Sequence, residues 1–178
     1  QRSSENLHTV MQEVPQDQRL KSITYKDIGC SSALAYASNY EPLALNIMLN
    51  AFPEDQRPEV LTNKVDQGNT AITNVARNGL AALETALDPL PESQRSQVLT
   101  DKVGNGDTAI IASASVNSPT FSFAINTLSE DQRLEALIDE NKYGETAISR
   151  AASSGPKSLK VALDALPNDE QRNKACMY

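Results

Sequence analysis

A 38-residue internal repeat runs through this chain of 178 residues. A Gln-Arg pair recurs in five related stretches, VPQDQR, FPEDQR, LPESQR, LSEDQR and LPNDEQR. Their glutamines stand at positions 18, 56, 94, 132 and 171, so the intervals are 38, 38, 38 and 39 residues. A second marker, GNTAI, GDTAI and GETAI, begins at Gly68, Gly106 and Gly144 and keeps the same period. A fixed period of this size indicates a repeat protein whose units stack on their neighbours.

Aligning the repeats in columns predicts one helix that buries a single face. Apolar columns lie at positions i, i+4 and i+7, as Leu83, Leu87 and Leu90 show in the repeat that contains LPESQR. The full columns are Leu7, Leu45, Leu83, Phe121 and Leu159; Met11, Leu49, Leu87, Ile125 and Leu163; and Val14, Phe52, Leu90, Leu128 and Leu166.

A shorter helix is predicted upstream of that one, where small side chains would let neighbouring helices approach closely. Its columns are Ala33, Ala71, Ala109 and Ala147; Leu34, Ile72, Ile110 and Ile148; and Ala76, Ala114 and Ala152. A threonine hydroxyl at 70, 108 and 146 can accept a hydrogen bond from an unpaired backbone N–H at the start of this helix. Gly79 and Gly155 suit the turn that follows it.

The Gln-Arg stretch predicts a third, short helix. Pro91 suits the first helical position, and Glu92 is favourable near the positive helix end. Val98 and Leu99 would then lie on the buried side. The equivalent pairs are Val60 and Leu61, Ala136 and Leu137, and Ala175 and Cys176, so Cys176 is expected to be a small buried hydrophobe.

Composition favours helices and disfavours several classes of partner. Aromatic residues make up only 4% of the chain, which favours closely packed helices over a β-sandwich. The net charge of −7 disfavours binding to nucleic acid or to anionic membranes. No apolar stretch is long enough for membrane insertion. Two cysteines, Cys30 and Cys176, without a CxxC pair fit an intracellular, reducing setting.

The segment GNTAITNVARNGLAALETAL, residues 68–87, resembles the ankyrin repeat, whose core reads G-x-T-P-L-H-x-A-A-x-x-G before an apolar second helix. The resemblance covers roughly residues 28–166. Alanine at 71, 109 and 147 replaces the usual proline, and Thr73, Ile111 and Ser149 stand where the histidine would be. The period exceeds the usual length by five residues, and we expect the Gln-Arg helix to replace the glycine-rich hairpin between repeats.

The resemblance implies an all-α, right-handed solenoid of about four 38-residue repeats, each a helix pair plus an extra short helix. Counted from the Gln-Arg pairs, the single array 1–178 divides into a partial repeat 1–17, repeats 18–55, 56–93, 94–131 and 132–170, and a truncated repeat 171–178. We expect further repeats or other domains to flank it. The divergent ankyrin arrays of effectors secreted by intracellular bacterial pathogens are similar, which implies secretion into a host cell cytosol.

The Gln-Arg pairs have two interpretations. Five arginines in a row could bind anions, since a guanidinium pairs bidentately with a carboxylate. Alternatively, Gln and Arg could join the third helix to its own or the next repeat through hydrogen bonds. Recurrence at every step favours the structural joint, because a specific ligand rarely needs the same two residues in each unit.

The residues indicate no enzyme. His8 is the only histidine, and its column reads His8, Asn46, Glu84, Ser122 and Lys160, which is typical of a solvated face. The sequence GNG at 104–106 lacks the strand and the Lys-Ser/Thr of a phosphate loop, and a reactive thiol at Cys30 has no support. We therefore predict no catalytic residue, no metal site and no cofactor.

Information about a partner should lie where the repeats differ. In ankyrin-like arrays the variable positions of the inner helix and its preceding turn line a concave surface that binds a protein, although ordinary solvated surface is the simpler interpretation of any one of them. The predicted partner-binding residues are Tyr36, Tyr40, Asn74, Arg77, Asp107, Tyr143, Glu145 and Arg150. Charge reversal at Arg77 together with Arg150 is expected to leave folding intact.

The predicted function is a protein–protein interaction module. The alternative is a scaffold that positions a substrate for a larger effector enzyme whose catalytic domain lies outside this chain. A purely structural spacer is a third possibility, and a catalytic motif in a neighbouring part of the gene would favour the scaffold.

Overall fold

The computed structural model describes residues 2–26, 31–66, 69–102 and 104–178, and most of these residues are helical. The α-helices are α1 (Arg2–Glu13), α2 (Gln16–Thr24), α3 (Ala33–Tyr40), α4 (Pro42–Asn50), α5 (Arg57–Thr62), α6 (Ala71–Arg77), α7 (Leu80–Leu87), α8 (Glu92–Thr100), α9 (Ala109–Ala114), α10 (Ser118–Asn126), α11 (Glu130–Ile138), α12 (Ala147–Ser154), α13 (Pro156–Asp164) and α14 (Asp169–Ala175). A 3-10 turn at Glu54–Gln56 precedes α5, and two short strands are β1 (Lys64–Asp66) and β2 (Asn69–Thr70). The all-α prediction is confirmed.

The helices form five consecutive units arranged in three layers. Unit 1 holds α1 and α2; units 2 to 5 hold α3 to α5, α6 to α8, α9 to α11, and α12 to α14. The first helices α3, α6, α9 and α12 pack side by side, and so do the second helices α1, α4, α7, α10 and α13. The third helices α2, α5, α8 and α11 each contact the first helix of the next unit. The repeat boundaries counted from the Gln-Arg pairs therefore fall at or within the third helices.

The first helices begin where the threonine column predicts. The Thr108 hydroxyl accepts from the backbone N–H of Ile111 at 3.2 Å, and the Thr146 hydroxyl accepts from that of Ser149 at 3.1 Å. Thr70 caps α6 in the same way, and Ser32 caps α3. Each hydroxyl satisfies a donor that has no partner inside its helix, which fixes the start of the helix.

Small side chains of the first helices are fully buried in the middle of the stack. Ala76 and Ala114 have no exposed surface, as the close approach of α6 and α9 requires. Ala152 is exposed instead. Cys176 is exposed as well, so its expected burial is wrong. In the middle units a following first helix covers these columns, and among the described residues no first helix follows α12.

The second helices bury the predicted apolar face. Leu45, Leu83 and Phe121 have no exposed surface, while Leu7 and Leu159 in the outer units are partly buried. Gly155 has a φ of +121° where α12 turns into α13, a backbone conformation that favours glycine, and Gly79 plays the same role before α7.

Three arginines of the Gln-Arg pairs, Arg19, Arg57 and Arg133, join consecutive units. Arg133 donates from Nε to the carbonyl of Leu128 and from Nη1 to the carbonyl of Ala165, both at 3.2 Å. Leu128 lies just after α10 in the same unit, and Ala165 caps α13 in the next. Arg19 bridges Val14 and Ala51, and Arg57 bridges Phe52 and Pro89, by the same pairs of atoms. The structural-joint interpretation is confirmed for these arginines.

The glutamines do not share in the joint in the way that was expected. The Oε1 atom of Gln132 accepts from the hydroxyl of Ser129 at 2.9 Å, within its own helix start. The Oε1 atoms of Gln94 and Gln171 are buried without a hydrogen-bond partner among the described residues. Within the Gln-Arg pair, the hydrogen bonds to the next unit therefore come from the arginine, whose donors reach two carbonyls at once.

A short β-hairpin follows α5, the third helix of unit 2, although the Gln-Arg helix was expected to replace such a hairpin. Strands β1 and β2 pair antiparallel, with Lys64 opposite Thr70. An isolated bridge between Lys26 and Ser32 marks the same place one unit earlier. Helix α5 ends at Thr62, which leaves enough chain before α6 for the turn. Pro91 also differs slightly, since it occupies the N-cap of α8 rather than its first helical position.

Replacing Ala109 with Glu should destabilise the protein by about 3 kcal/mol or more, because a carboxylate would be buried without a partner between first helices. Ala109 has no exposed surface. The matched control is Ala81→Glu on the exposed face of α7. Urea unfolding followed by circular dichroism measures both variants, and equal stabilities would contradict the packing of α9.

Replacing Arg133 with Ala should cost about 2 kcal/mol, because two carbonyls at helix ends lose a charged donor. Lys142→Ala, an exposed cation in the same unit pair, should change stability by less than about 0.5 kcal/mol. Chemical denaturation of the two variants tests the joint. An Arg133 variant as stable as the parent chain would show that the bridge contributes nothing.

Candidate protein-binding surface

Two of the predicted binding residues form an exposed aromatic pair on α3. Tyr36 and Tyr40 lie one helical turn apart and are 58% and 70% exposed. Their ring centroids are 5.2 Å apart, with an angle of 50° between the planes. Contact between the rings restricts both side chains while leaving their outer faces open.

Every tyrosine of the chain is exposed, and none contributes to the core. Tyr143, also predicted, is 74% exposed on the turn before α12. The sequence analysis did not include Tyr25, which is 74% exposed just after α2. Its column could have identified it, because the equivalent positions hold Asn63, Asp101 and Asp139. An aromatic residue in an otherwise polar column indicates a locally different surface.

Asn74 and Asp107 offer little surface to a partner. Asn74 is 5% exposed and Asp107 is 3% exposed. The physical reason for Asn74 is that α6 lies between α3 and α9, which buries every residue from 71 to 76. Within this variable column, Tyr36 is therefore exposed, whereas Asn74, in the middle of the stack, is buried.

Arg77 and Asp107 begin a polar network between units. The Nη2 atom of Arg77 lies 2.9 Å from Oδ2 of Asp107, in an ion pair whose carboxylate is buried. Nη1 of the same arginine donates to Oδ1 of Asn69 at 2.8 Å. Asn105 donates to Asp107 from its side chain at 3.1 Å. The buried carboxylate is therefore compensated by both charge and hydrogen bonds.

Asn141 extends the network into the next turn. Its Nδ2 atom donates to Oδ1 of Asp107 at 2.7 Å and to Oε2 of Glu145 at 3.0 Å. Its Oδ1 atom accepts from the backbone N–H groups of Tyr143 and Glu145. Glu145 in turn pairs with Nη2 of Arg150 at 2.6 Å. We call Arg77, Asp107, Asn141, Glu145 and Arg150 the polar network; it crosses three units.

The network also sets the charge of Glu145. The hydrogen bonds from Asn141 and then from Arg150 lower the pKa of its carboxyl group. Because the folded pKa lies below the unfolded one, the stabilisation that this group contributes is present above the unfolded pKa and is lost on acidification. The ion pair with Arg150 therefore persists at neutral pH.

The structure brings together four of the eight predicted residues in this network and holds Tyr143 beside it. Asn141, which connects them, was missed by the sequence analysis, although it stands in a column that holds Asp27, Val65 and Val103 in the earlier repeats. Arg77 has a buried ion-pair partner, so reversing its charge is now expected to destabilise the fold rather than leave it intact.

The remaining candidate residues of the sequence lie away from this surface or outside the described residues. His8 is exposed on α1. In the part of the chain that the structure describes, no cluster of His, Cys, Asp and Glu could hold a metal ion. No helix of that part has the length and apolar character needed to span a bilayer. Cys30, Gln67 and Gly68 lie outside the described residues.

Comparison with known proteins supports the fold. No protein-family model matches the chain, and no curated protein matches it. A chain in the solved structure of a predatory endopeptidase from Bdellovibrio bacteriovorus in complex with an immunity protein is similar, with a TM-score of 0.54 and 20% sequence identity. The match covers 89% of this chain and 79% of that one. At this identity the likeness shows a shared helical fold.

Replacing Asp107 with Ala should cost about 2–3 kcal/mol, because Arg77 and the buried amide of Asn141 lose their acceptor. The matched control is Asp139→Ala, whose carboxylate pairs with Lys102 at the surface and should contribute less than about 1 kcal/mol. Thermal and urea unfolding compare the two. If both variants lose the same small amount, the polar network does not stabilise the stack.

Proposed function

We propose that this chain is a divergent ankyrin-like repeat array that binds a protein partner through the exposed ends of its first helices and the turns before them. The ankyrin-like, right-handed arrangement is supported by the capped first helix, by a glycine turn into the second helix, and by the β1–β2 hairpin that leads into α6. The third helix with its arginine distinguishes these units from ordinary ankyrin repeats.

The exposed Tyr36–Tyr40 pair is the observation that carries the proposal. Tyrosine provides a large amphipathic contact area at a low cost in side-chain entropy, and it is enriched among the residues that dominate binding energy. The described core is built from aliphatic residues and phenylalanine. A chain that exposes both rings on one helix face presents an anchor for a partner.

The polar network supports binding by holding its exposed members in place. Arg77 and Arg150 each keep about a third of the side chain accessible while bonded to carboxylates of the turns. Tyr143 stands on a turn whose backbone N–H groups bond to Asn141. A surface that is ordered before binding loses less entropy on association.

Binding rather than catalysis is proposed for this chain. Its histidine is exposed on α1, in unit 1, whereas the polar network lies in units 3 to 5. The carboxylates of that network are committed to arginine and asparagine partners. The similar solved chain belongs to a complex of two proteins, an endopeptidase and an immunity protein, which also supports a protein partner.

Capture of partners from cell lysate by the immobilised chain, followed by mass spectrometry, would identify a candidate partner. Tyr36→Ala combined with Tyr40→Ala should then weaken binding of the purified partner by about tenfold or more, because two anchors are lost. The matched control, Tyr178→Ala, removes an exposed tyrosine at the other end of the chain.

Unchanged circular dichroism and unfolding of the double variant would show that the fold is preserved. A partner that binds the double variant as tightly as the parent chain would exclude this surface.

A further inference from the structure

The corner between α3 and α4 exposes two large apolar side chains. Tyr40, the last residue of α3, is 70% exposed, and Leu43, in the first turn of α4, is 62% exposed. The equivalent positions are exposed or half-buried in each later unit, including those in the middle of the stack. The exposure of this corner therefore comes from the way in which a first helix joins a second helix in every unit. We call Tyr40, Glu41 and Leu43 the corner surface.

Each residue of the corner surface departs from its column. The later units carry smaller or polar residues where unit 2 has Tyr40, Glu41 and Leu43. The columns continue as Asn78, Val116 and Ser154; Gly79, Asn117 and Gly155; and Ala81, Pro119 and Lys157. A contact of the scaffold recurs from unit to unit, so three departures at one corner indicate a role outside the scaffold.

The equivalents of Glu41 serve the turn between the two helices, and Glu41 does not. Gly79 has a φ of +103°, and the side chain of Asn117 accepts from the backbone N–H of Thr120 at 3.0 Å to cap α10. Glu41 has a φ of −134°, and its side chain does not cap α4. Within the described part of the chain, its exposed carboxylate makes no hydrogen bond and no ion pair. Positions that break a local rule of the fold are where functional residues are expected.

The backbone of the corner is held in place by the neighbouring unit. The Nδ2 atom of Asn78 donates to the carbonyl of Ser38 at 2.8 Å and to that of Asn39 at 2.7 Å. Pro42 is the first residue of α4 and fixes the backbone that follows α3. Tyr40 is further restricted by its ring contact on α3. A corner that is ordered in this way loses little conformational entropy when a partner binds.

We propose that the corner surface binds an arginine of the protein partner, together with an apolar residue adjacent to that arginine. This inference rests on the proposed function and names the chemistry of the partner. The guanidinium stacks on the open face of the Tyr40 ring and pairs with the Glu41 carboxylate. The apolar residue contacts Leu43.

Charge complementarity favours an arginine over other occupants. The corner surface carries one carboxylate, and the chain as a whole has a net charge of −7, so an acidic segment would be repelled. A wholly apolar segment would remove Glu41 from water without giving it a partner. Arg77, a cation at the end of the neighbouring helix α6, is committed to Asp107. Arginine fits both parts of the surface, because its flat guanidinium stacks on an aromatic ring and donates to a carboxylate in a fixed geometry, whereas lysine is a point charge.

Selection of short random peptides displayed on phage against the immobilised chain tests this chemistry. The enriched peptides should share an arginine next to a leucine, isoleucine or phenylalanine. The most enriched peptide is then synthesised with a fluorescent label, and anisotropy measures its affinity for each variant. Glu41→Gln and Leu43→Ser should each weaken binding by about tenfold. The matched control, Glu84→Gln, changes an exposed carboxylate of α7 and should leave the affinity unchanged.

A second peptide, in which citrulline replaces the arginine, isolates the charge. Citrulline keeps the shape of the side chain and removes its positive charge. This peptide should bind the parent chain about tenfold more weakly or worse, but the same replacement should cost much less with the Glu41→Gln variant, because the ion pair is already lost.

Circular dichroism of each variant checks that the exposed substitutions preserve the fold. Enriched peptides without arginine, no enriched peptide at all, or an affinity that Glu41→Gln leaves unchanged would overturn the proposal. If Tyr36→Ala with Tyr40→Ala weakens binding of the enriched peptide while Glu41→Gln does not, the tyrosine surface of the proposed function stands and only the arginine chemistry fails.

Discussion

The arginine bridge between consecutive second helices is the interaction on which the arrangement of the units depends. The last carbonyls of a helix have no partner inside it, and five second helices ending on one side would leave several of them unsatisfied. Arg19, Arg57 and Arg133 each donate to the end of their own second helix and to the end of the next. One side chain thus satisfies two helix ends and fixes the distance between them, with its positive charge at the negative ends of both helices.

The first helices depend on this spacing. Alanine at the contact positions, such as Ala76 and Ala114, permits the close packing that leaves α6 and α9 almost wholly buried. The polar network lies over the same helices and connects turns of successive units through Asp107 and Asn141. The stack is therefore held on both sides, by arginine–carbonyl bonds at the third helices and by side-chain hydrogen bonds at the turns.

Much of this could be predicted from repetition within the sequence. Apolar columns identified the three helices of each unit, and the threonine column identified the N-caps. A structural joint was predicted because such a contact must recur at each step, but it was assigned to Gln and Arg together, and the bonds to the next unit come from the arginines. Exposure was harder to predict. Variability at Asn74 indicated free surface, yet neighbours on both sides of α6 bury it, whereas Ala152 is exposed because no later first helix covers it.

Contacts made by residues that occur in only one unit could not be predicted from the aligned columns. Asn141 replaces a valine found in two other units, and its hydrogen bonds with Asp107 and Glu145 arise from two turns that meet in space. The hairpin of β1 and β2 was not predicted, because the extra helix was expected to replace it. Helix α5 spans only Arg57–Thr62, so both fit within one period.

The acceptors of the arginine bridge are main-chain carbonyls, which every amino acid supplies. Ala51, Pro89 and Ala165 serve equally well, although they differ in size and flexibility. The acceptor half of each joint therefore tolerates substitution, whereas the donor half requires an arginine. At this joint, a period could be duplicated or deleted without a compensating change in the acceptor, whereas the polar network between units 3 and 5 requires matched side chains on both sides.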